Sequence, residues 1–144
     1  MGKINLGRVL IGGIAAGIIF FIGDGVVHGA LLYDRWVAIL AALGKSGGDA
    51  GSGHPEYFIS YDLLKGLLAI WIYAAIRPRH GAGPATALIA AIVVWLLVIP
   101  VPMLGLLPME FFGARFVARW AIYGFVPIAL GTLVGAWLYR ESGA

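Results

Sequence analysis

Val9-Leu10-Ile11-Gly12-Gly13-Ile14-Ala15-Ala16-Gly17-Ile18-Ile19-Phe20-Phe21-Ile22 continues through Gly23-Asp24-Gly25-Val26-Val27-His28-Gly29-Ala30 to Leu31-Leu32. As an α-helix rising 1.5 Å per residue, this stretch is long enough to cross a hydrocarbon core of about 30 Å. Three further stretches read in the same way. The predicted fold is therefore an all-α membrane protein, one transmembrane domain over residues 1–144 with spans at about 9–32, 58–76, 85–101 and 116–138, paired as two hairpins. Composition agrees: 61% of the 144 residues are hydrophobic and 12% charged, and the mean hydropathy is +0.94, which leaves too little polar surface for a water-soluble domain.

The edges of the spans are marked by breakers and charge. Lys3 and Arg8 ahead of the first apolar run resemble the opening of a signal peptide, but no A-x-A site follows, so the run is expected to stay as a span. Leu6 stands where a myristoylation motif needs Ser or Thr. A short apolar stretch from Trp36 to Leu43 leads into the Gly/Ser-rich segment Gly44 to Gly53, which reads as a flexible loop. Arg77-Pro78-Arg79 is expected to stop the second span, and Pro100, Pro102 and Pro108 to unwind the last turns of the third. Pro127 is expected to kink the fourth. The mixture of aromatics and charge from Met109 to Phe116 suits a water–lipid boundary.

Charge and cysteine narrow the chemistry. Ten basic and seven acidic residues give a net +3, but the basic ones never form a run, so lipid headgroups and not nucleic acid are the expected partner. With no cysteine, thiol catalysis, thiolate zinc and iron–sulfur clusters are excluded. With both termini on one side, Lys3, Arg8, Arg77, Arg79 and Arg140 face Arg35, Lys45, Arg115 and Arg119, and the short loop holding Arg77 and Arg79 favours cytoplasmic termini.

The two hairpins resemble each other. Ile14-Ala15-Ala16-Gly17-Ile18-Ile19-Phe20 aligns with Ile89-Ala90-Ala91-Ile92-Val93-Val94-Trp95, and Leu67 to Tyr73 aligns with Leu133 to Tyr139 through a shared L-x-x-x-W-x-Y ending. Such a duplication would be a parallel repeat about an axis along the membrane normal.

The stretch Trp71-Ile72-Tyr73-Ala74-Ala75-Ile76-Arg77-Pro78-Arg79-His80-Gly81-Ala82-Gly83-Pro84-Ala85-Thr86-Ala87, with Trp95 and the ending Ala136-Trp137-Leu138-Tyr139-Arg140, resembles a family of uncharacterised bacterial four-span membrane proteins. The resemblance implies a bacterial inner-membrane setting and carries over no activity. Physically, the loop reads as interfacial aromatic anchors, lipid-facing arginines and a tight Gly-x-Gly-Pro turn.

Ionisable groups within a span cost about 2.5–3.5 kcal/mol or more at its centre, so each one is a candidate for function. At 100° per residue Gly13, Gly17, Phe20, Asp24 and His28 share one face of the first helix, where a neighbouring helix can approach closely. Counting outward from each span's middle puts Asp24 at about 5 Å and Lys65 at about 4 Å, a depth at which they can pair. His28 and Arg119 fall farther out, with Asp62, Glu110 and Arg115 near the same boundary, and these seven residues are the expected polar pocket. Taken singly, Arg35, Asp62, Arg115 and Arg119 can also snorkel to the headgroups.

No H-E-x-x-H, G-x-S-x-G or P-loop is present, and His54 and His80 belong to loops on opposite sides, so neither cofactor nor metal is expected. The expected function is a non-enzymatic accessory or oligomeric membrane subunit that packs with itself or with partner subunits through Gly13-x-x-x-Gly17 and Gly25-x-x-x-Gly29. The same glycine pairs could instead serve internal packing. The alternative is a small channel or proton-coupled transporter using Asp24 and His28.

Overall fold

The computed structural model describes residues 4–46 and 54–139. It is all-helical: α1 (Leu6–Val26) passes into a π turn (Val27–Leu31), followed by α2 (Tyr33–Ala42), α3 (Pro55–His80), α4 (Pro84–Val98), α5 (Pro100–Leu106) and α6 (Ala114–Leu138). Four segments are long and apolar enough to cross a membrane: Leu6–Leu31, Pro55–His80, Pro84–Met109 and Ala114–Leu138. The chain is therefore a multi-pass membrane protein. Most of the glycine loop, residues 47–53, lies outside the described residues, as do Lys3 and Arg140.

Helices start and stop at identifiable residues. Asn5 caps α1, its Oδ1 accepting from the Arg8 N–H at 3.1 Å, while Pro55 and Pro84 open α3 and α4 where a missing N–H costs nothing. Pro78 does not stop α3 as expected. Placed in the last turn it deletes only one backbone bond, and the helix continues to His80 and ends at Gly81, whose φ of 83° favours glycine. The third span does not unwind but breaks at one residue: Ile99 leaves helical dihedrals, and Pro100 restarts a helix at its own first position. The stretch from Trp36, expected only to be apolar, forms most of α2. Helix α6 runs on through Pro127, which is buried.

Around the bundle, α1 packs on α3 and α6, and α4 packs on α6 and α3, so α1 and α4 lie across one diagonal. Lipid supplies no hydrophobic drive between helices, and close packing has to replace it. Small residues permit that here. A methyl on Gly66 would overlap the backbone of Gly13 and Gly17, and one on Gly12 would strike the carbonyl of Gly135. Between these contacts lie the fully buried Ala16, Phe20, Ala69, Ile70, Ala90, Ala91 and Ile128. Leu10, Ile18, Leu68, Trp71, Leu97, Ile122 and Trp137 point outward, as suits helices solvated by lipid.

The segments aligned between the two hairpins make similar contacts. Tyr73 and Tyr139, which end the two L-x-x-x-W-x-Y segments, are both buried and meet edge to face with centroids 5.9 Å apart. Each hydroxyl accepts from the N-cap residue of a following or opening helix: Tyr73 from the Gly83 N–H at 3.3 Å, Tyr139 from the Asn5 N–H at 3.2 Å. Ala16 and Ala91, matched in the first pair of segments, are both fully buried, and Trp71 and Trp137 both face outward.

Candidate functional site

In the half of the bundle away from Tyr73 and Tyr139, α1 and α3 enclose three ionisable side chains. Lys65 Nζ donates to Asp24 Oδ2 at 2.7 Å, the pairing expected from depth alone. The same ammonium stands 2.6 Å from Asp62 Oδ1, as an ion pair poorly directed for a hydrogen bond. The side chains of Lys65 and Asp62 are each 3% exposed and that of Asp24 18%, so the cluster is uncovered only on the Asp24 side. The rings of Phe20 and Tyr61 flank the ammonium, with centroids at 5.2 and 4.8 Å.

Asp62 therefore does not reach for the headgroups. Lying three residues before Lys65 on one helix, it shares that residue's face and is carried into the α1 contact. The close approach of α1 and α3 at Gly13, Gly17 and Gly66 brings the three groups together, since side chains on either helix at those positions would push the backbones apart.

Two carboxylates on one ammonium leave the cluster with one negative charge unless a proton is bound. The aligned segments of the second hairpin carry a different chemistry at the matching positions. Counted from the aligned segments, Asp24 corresponds to Ile99, Asp62 to Ile128 and Lys65 to Gly131. Ile99 and Ile128 are 4% and 0% exposed, and Gly131 is filled by the edge of Phe20. One half is thus ionic at positions where the other is apolar.

His28 leaves the cluster for a different set of partners. From Val27 onward the chain widens into the π turn, where the Leu32 N–H reaches back to the Val27 carbonyl at 2.9 Å, so α-helical spacing no longer sets the face of His28. Its Nδ1 accepts from Trp36 Nε1 at 3.0 Å, which leaves the ring proton on Nε2. Trp120 meets it edge-on at 5.1 Å, and Trp36 packs in turn on Phe112, Phe116 and Trp120 at 5.9, 5.1 and 5.7 Å. This aromatic group fastens α2 to the start of α6 through the buried Val27, Leu32 and Phe116.

The remaining expected residues separate as well. Arg115 and Arg119 line a cavity of about 350 Å³ together with Arg35, whereas Glu110 is exposed in a left-handed turn at φ 57° and is not part of that lining. The single expected pocket is thus three features: an ion cluster, an aromatic cluster and an arginine cavity. Gly13 and Gly17 pack against α3, but a Cβ on Gly25 or Gly29 would meet nothing within 4 Å, so among the described residues that second pair packs no helix. Among the described residues no group of three His, Cys, Asp or Glu side chains could hold a metal ion.

Asp62 was legible through its three-residue spacing from Lys65. The role of Arg35 had no such signal, since only the fold brings α2 against α6. No protein family, curated protein or solved structure matches this chain.

Proposed function

We propose that the chain is a non-enzymatic proton-translocating membrane protein, a small channel or proton-coupled transporter, in which the Asp24–Lys65–Asp62 cluster takes up and releases the proton. The observation that carries this reading is the difference between the halves: Ile99, Ile128 and Gly131 fill the corresponding positions with apolar packing. Replacing buried ion pairs by apolar groups is often neutral or stabilising, so the fold alone gives no reason to keep three charges there. In a low dielectric an unbalanced carboxylate charge is costly, which is the reason for assigning the proton to this cluster. The π turn three residues after Asp24 adds support, because such turns recur where helices do chemistry or move. His28, bonded to Trp36, is a positioning residue in this reading and not the proton partner of Asp24.

The protein reconstituted in liposomes around a pH-sensitive dye, with the potential clamped by potassium and valinomycin, tests this directly. Proton flux above that of protein-free vesicles is expected, with loss in Asp24→Asn and in Asp62→Asn. Flux equal to the protein-free control, or unchanged in both variants, would remove the reading.

The second reading, an oligomeric or accessory membrane subunit, is favoured by the open face at Gly25 and Gly29, where a foreign helix can approach closely. Mild detergent extraction tests it: a stoichiometric partner or a defined oligomer lost on Gly25→Leu supports it. For either reading we place the chain in the bacterial inner membrane with both termini cytoplasmic, on the strength of Arg77 and Arg79 in the short α3–α4 connection and of the family resemblance.

A further inference from the structure

The arginine cavity stands apart from the ion cluster, and none of Asp24, Asp62 or Lys65 lines it. Arg35 projects from α2, and Arg115 and Arg119 from the first two turns of α6, around a space of about 350 Å³. Ala38, Ile39 and Phe116 form its apolar wall. Among the described residues no carboxylate lines it: Asp34 and Glu110, the acids closest in sequence, are exposed and lie outside the lining. Among the described residues none of the three guanidiniums has an ion-pair partner.

Three positive charges held around one cavity repel one another, and an anion relieves that repulsion. Guanidinium forks match the oxygens of phosphate, offering paired N–H donors to each, and they stay charged at every relevant pH. Gly113, also in the lining, precedes α6, whose N-terminus no side chain caps and which adds a weaker positive field at the same place. The volume exceeds what a bare phosphate needs and falls in the range of organic ligands, and the apolar wall offers contact to carbon.

We infer that Arg35, Arg115 and Arg119 form a binding site for the phosphate group of a phosphate ester, carried either by a phospholipid headgroup or by a water-soluble organic phosphate. The site is independent of proton exchange at the ion cluster.

Trp36 and Trp120 pack on Phe116 in the cavity wall, at 5.1 and 6.0 Å, so intrinsic fluorescence of the full chain in non-ionic detergent reports occupancy. The probes are inorganic phosphate, glycerol 3-phosphate, short-chain phosphatidylglycerol and, as controls, short-chain diacylglycerol and chloride at matched ionic strength. A saturable change with phosphate-bearing probes and none with the controls is expected. Each of Arg35→Gln and Arg119→Gln should weaken it about tenfold or more, from loss of charge-assisted hydrogen bonds. The all-lysine variant, which keeps the charge, should bind more tightly than either Gln variant combined with Arg115→Gln. A response to glycerol 3-phosphate equal to that of the lipid identifies a soluble ligand, and a response to the lipid alone identifies a headgroup. No saturable response to any phosphate probe, an equal response to chloride, or a response unchanged when all three arginines are replaced by Gln would overturn the inference.

Discussion

Tyr73 and Tyr139 meet edge to face at 5.9 Å, and each hydroxyl binds the backbone N–H at the start of a different helix, Gly83 for one and Asn5 for the other. The two tyrosines close the bundle into a ring, α3 onto α4 and α6 onto α1. Because the contacts are equivalent, Tyr73→Phe and Tyr139→Phe should lower stability by similar amounts, about 0.5–1.5 kcal/mol each, while keeping the ring contact. Unfolding in mixed micelles measures both. A large loss for one and none for the other would speak against the repeat.

Glycine substitutions should separate internal packing from open surface. Gly66→Ala drives a methyl into the backbone of Gly13 and Gly17, and overpacking of that kind costs about 1–3 kcal/mol. Gly25→Ala meets nothing and should be neutral or stabilising by up to about 1 kcal/mol through helix propensity. The same unfolding assay ranks them.

Trp36 serves His28 in two ways, as a hydrogen-bond donor and as a packed ring. Trp36→Phe removes the first alone and should cost about 0.5–1.5 kcal/mol. Trp36→Ala removes both and should cost about 3–5 kcal/mol, releasing α2 from α6. Protease sensitivity of α2, compared between the two variants, checks the difference.

How much of this could be read from the chain depends on the distance over which each feature is specified. Four spans follow from local apolarity, and the Asp24–Lys65 contact follows from depth, because two opposite charges at one level in lipid have few other partners. Depth alone sets Asp62 at the boundary, whereas its three-residue spacing from Lys65 on one helix face carries it to the ammonium. Proline acts by its position: Pro78 lies two residues before the end of α3, so the single bond it removes leaves little helix beyond it to disturb, and Pro100 serves as a helix start. The π turn at Val27–Leu31 has no local signature, and with it went the true partner of His28. Arg35 joins Arg115 and Arg119 only through tertiary packing, which no spacing along the chain encodes.

The ion cluster makes an ordered prediction. Lys65→Met strands two buried carboxylates and should cost about 3–5 kcal/mol. Asp24→Asn leaves Lys65 its other partner, Asp62, and should cost less. The triple variant Asp24→Ile, Asp62→Ile, Lys65→Met, which imitates the apolar packing of the other half, should recover most of the stability lost in Lys65→Met. Unfolding midpoints of the three variants in one detergent check the order; a triple variant less stable than Lys65→Met would mean that the fold itself needs the charges.

Infrared difference spectroscopy on the purified protein, as pH is stepped, looks at the proton itself. We expect a protonated-carboxyl band, over and above that of the five acids the triple variant retains, that rises and falls reversibly with pH in the wild type and is altered in Asp24→Asn and in Asp62→Asn. A spectrum with no titrating carboxyl band beyond that of the triple variant would mean that Asp24, Lys65 and Asp62 form a fixed ionic contact, and would contradict proton exchange at this site.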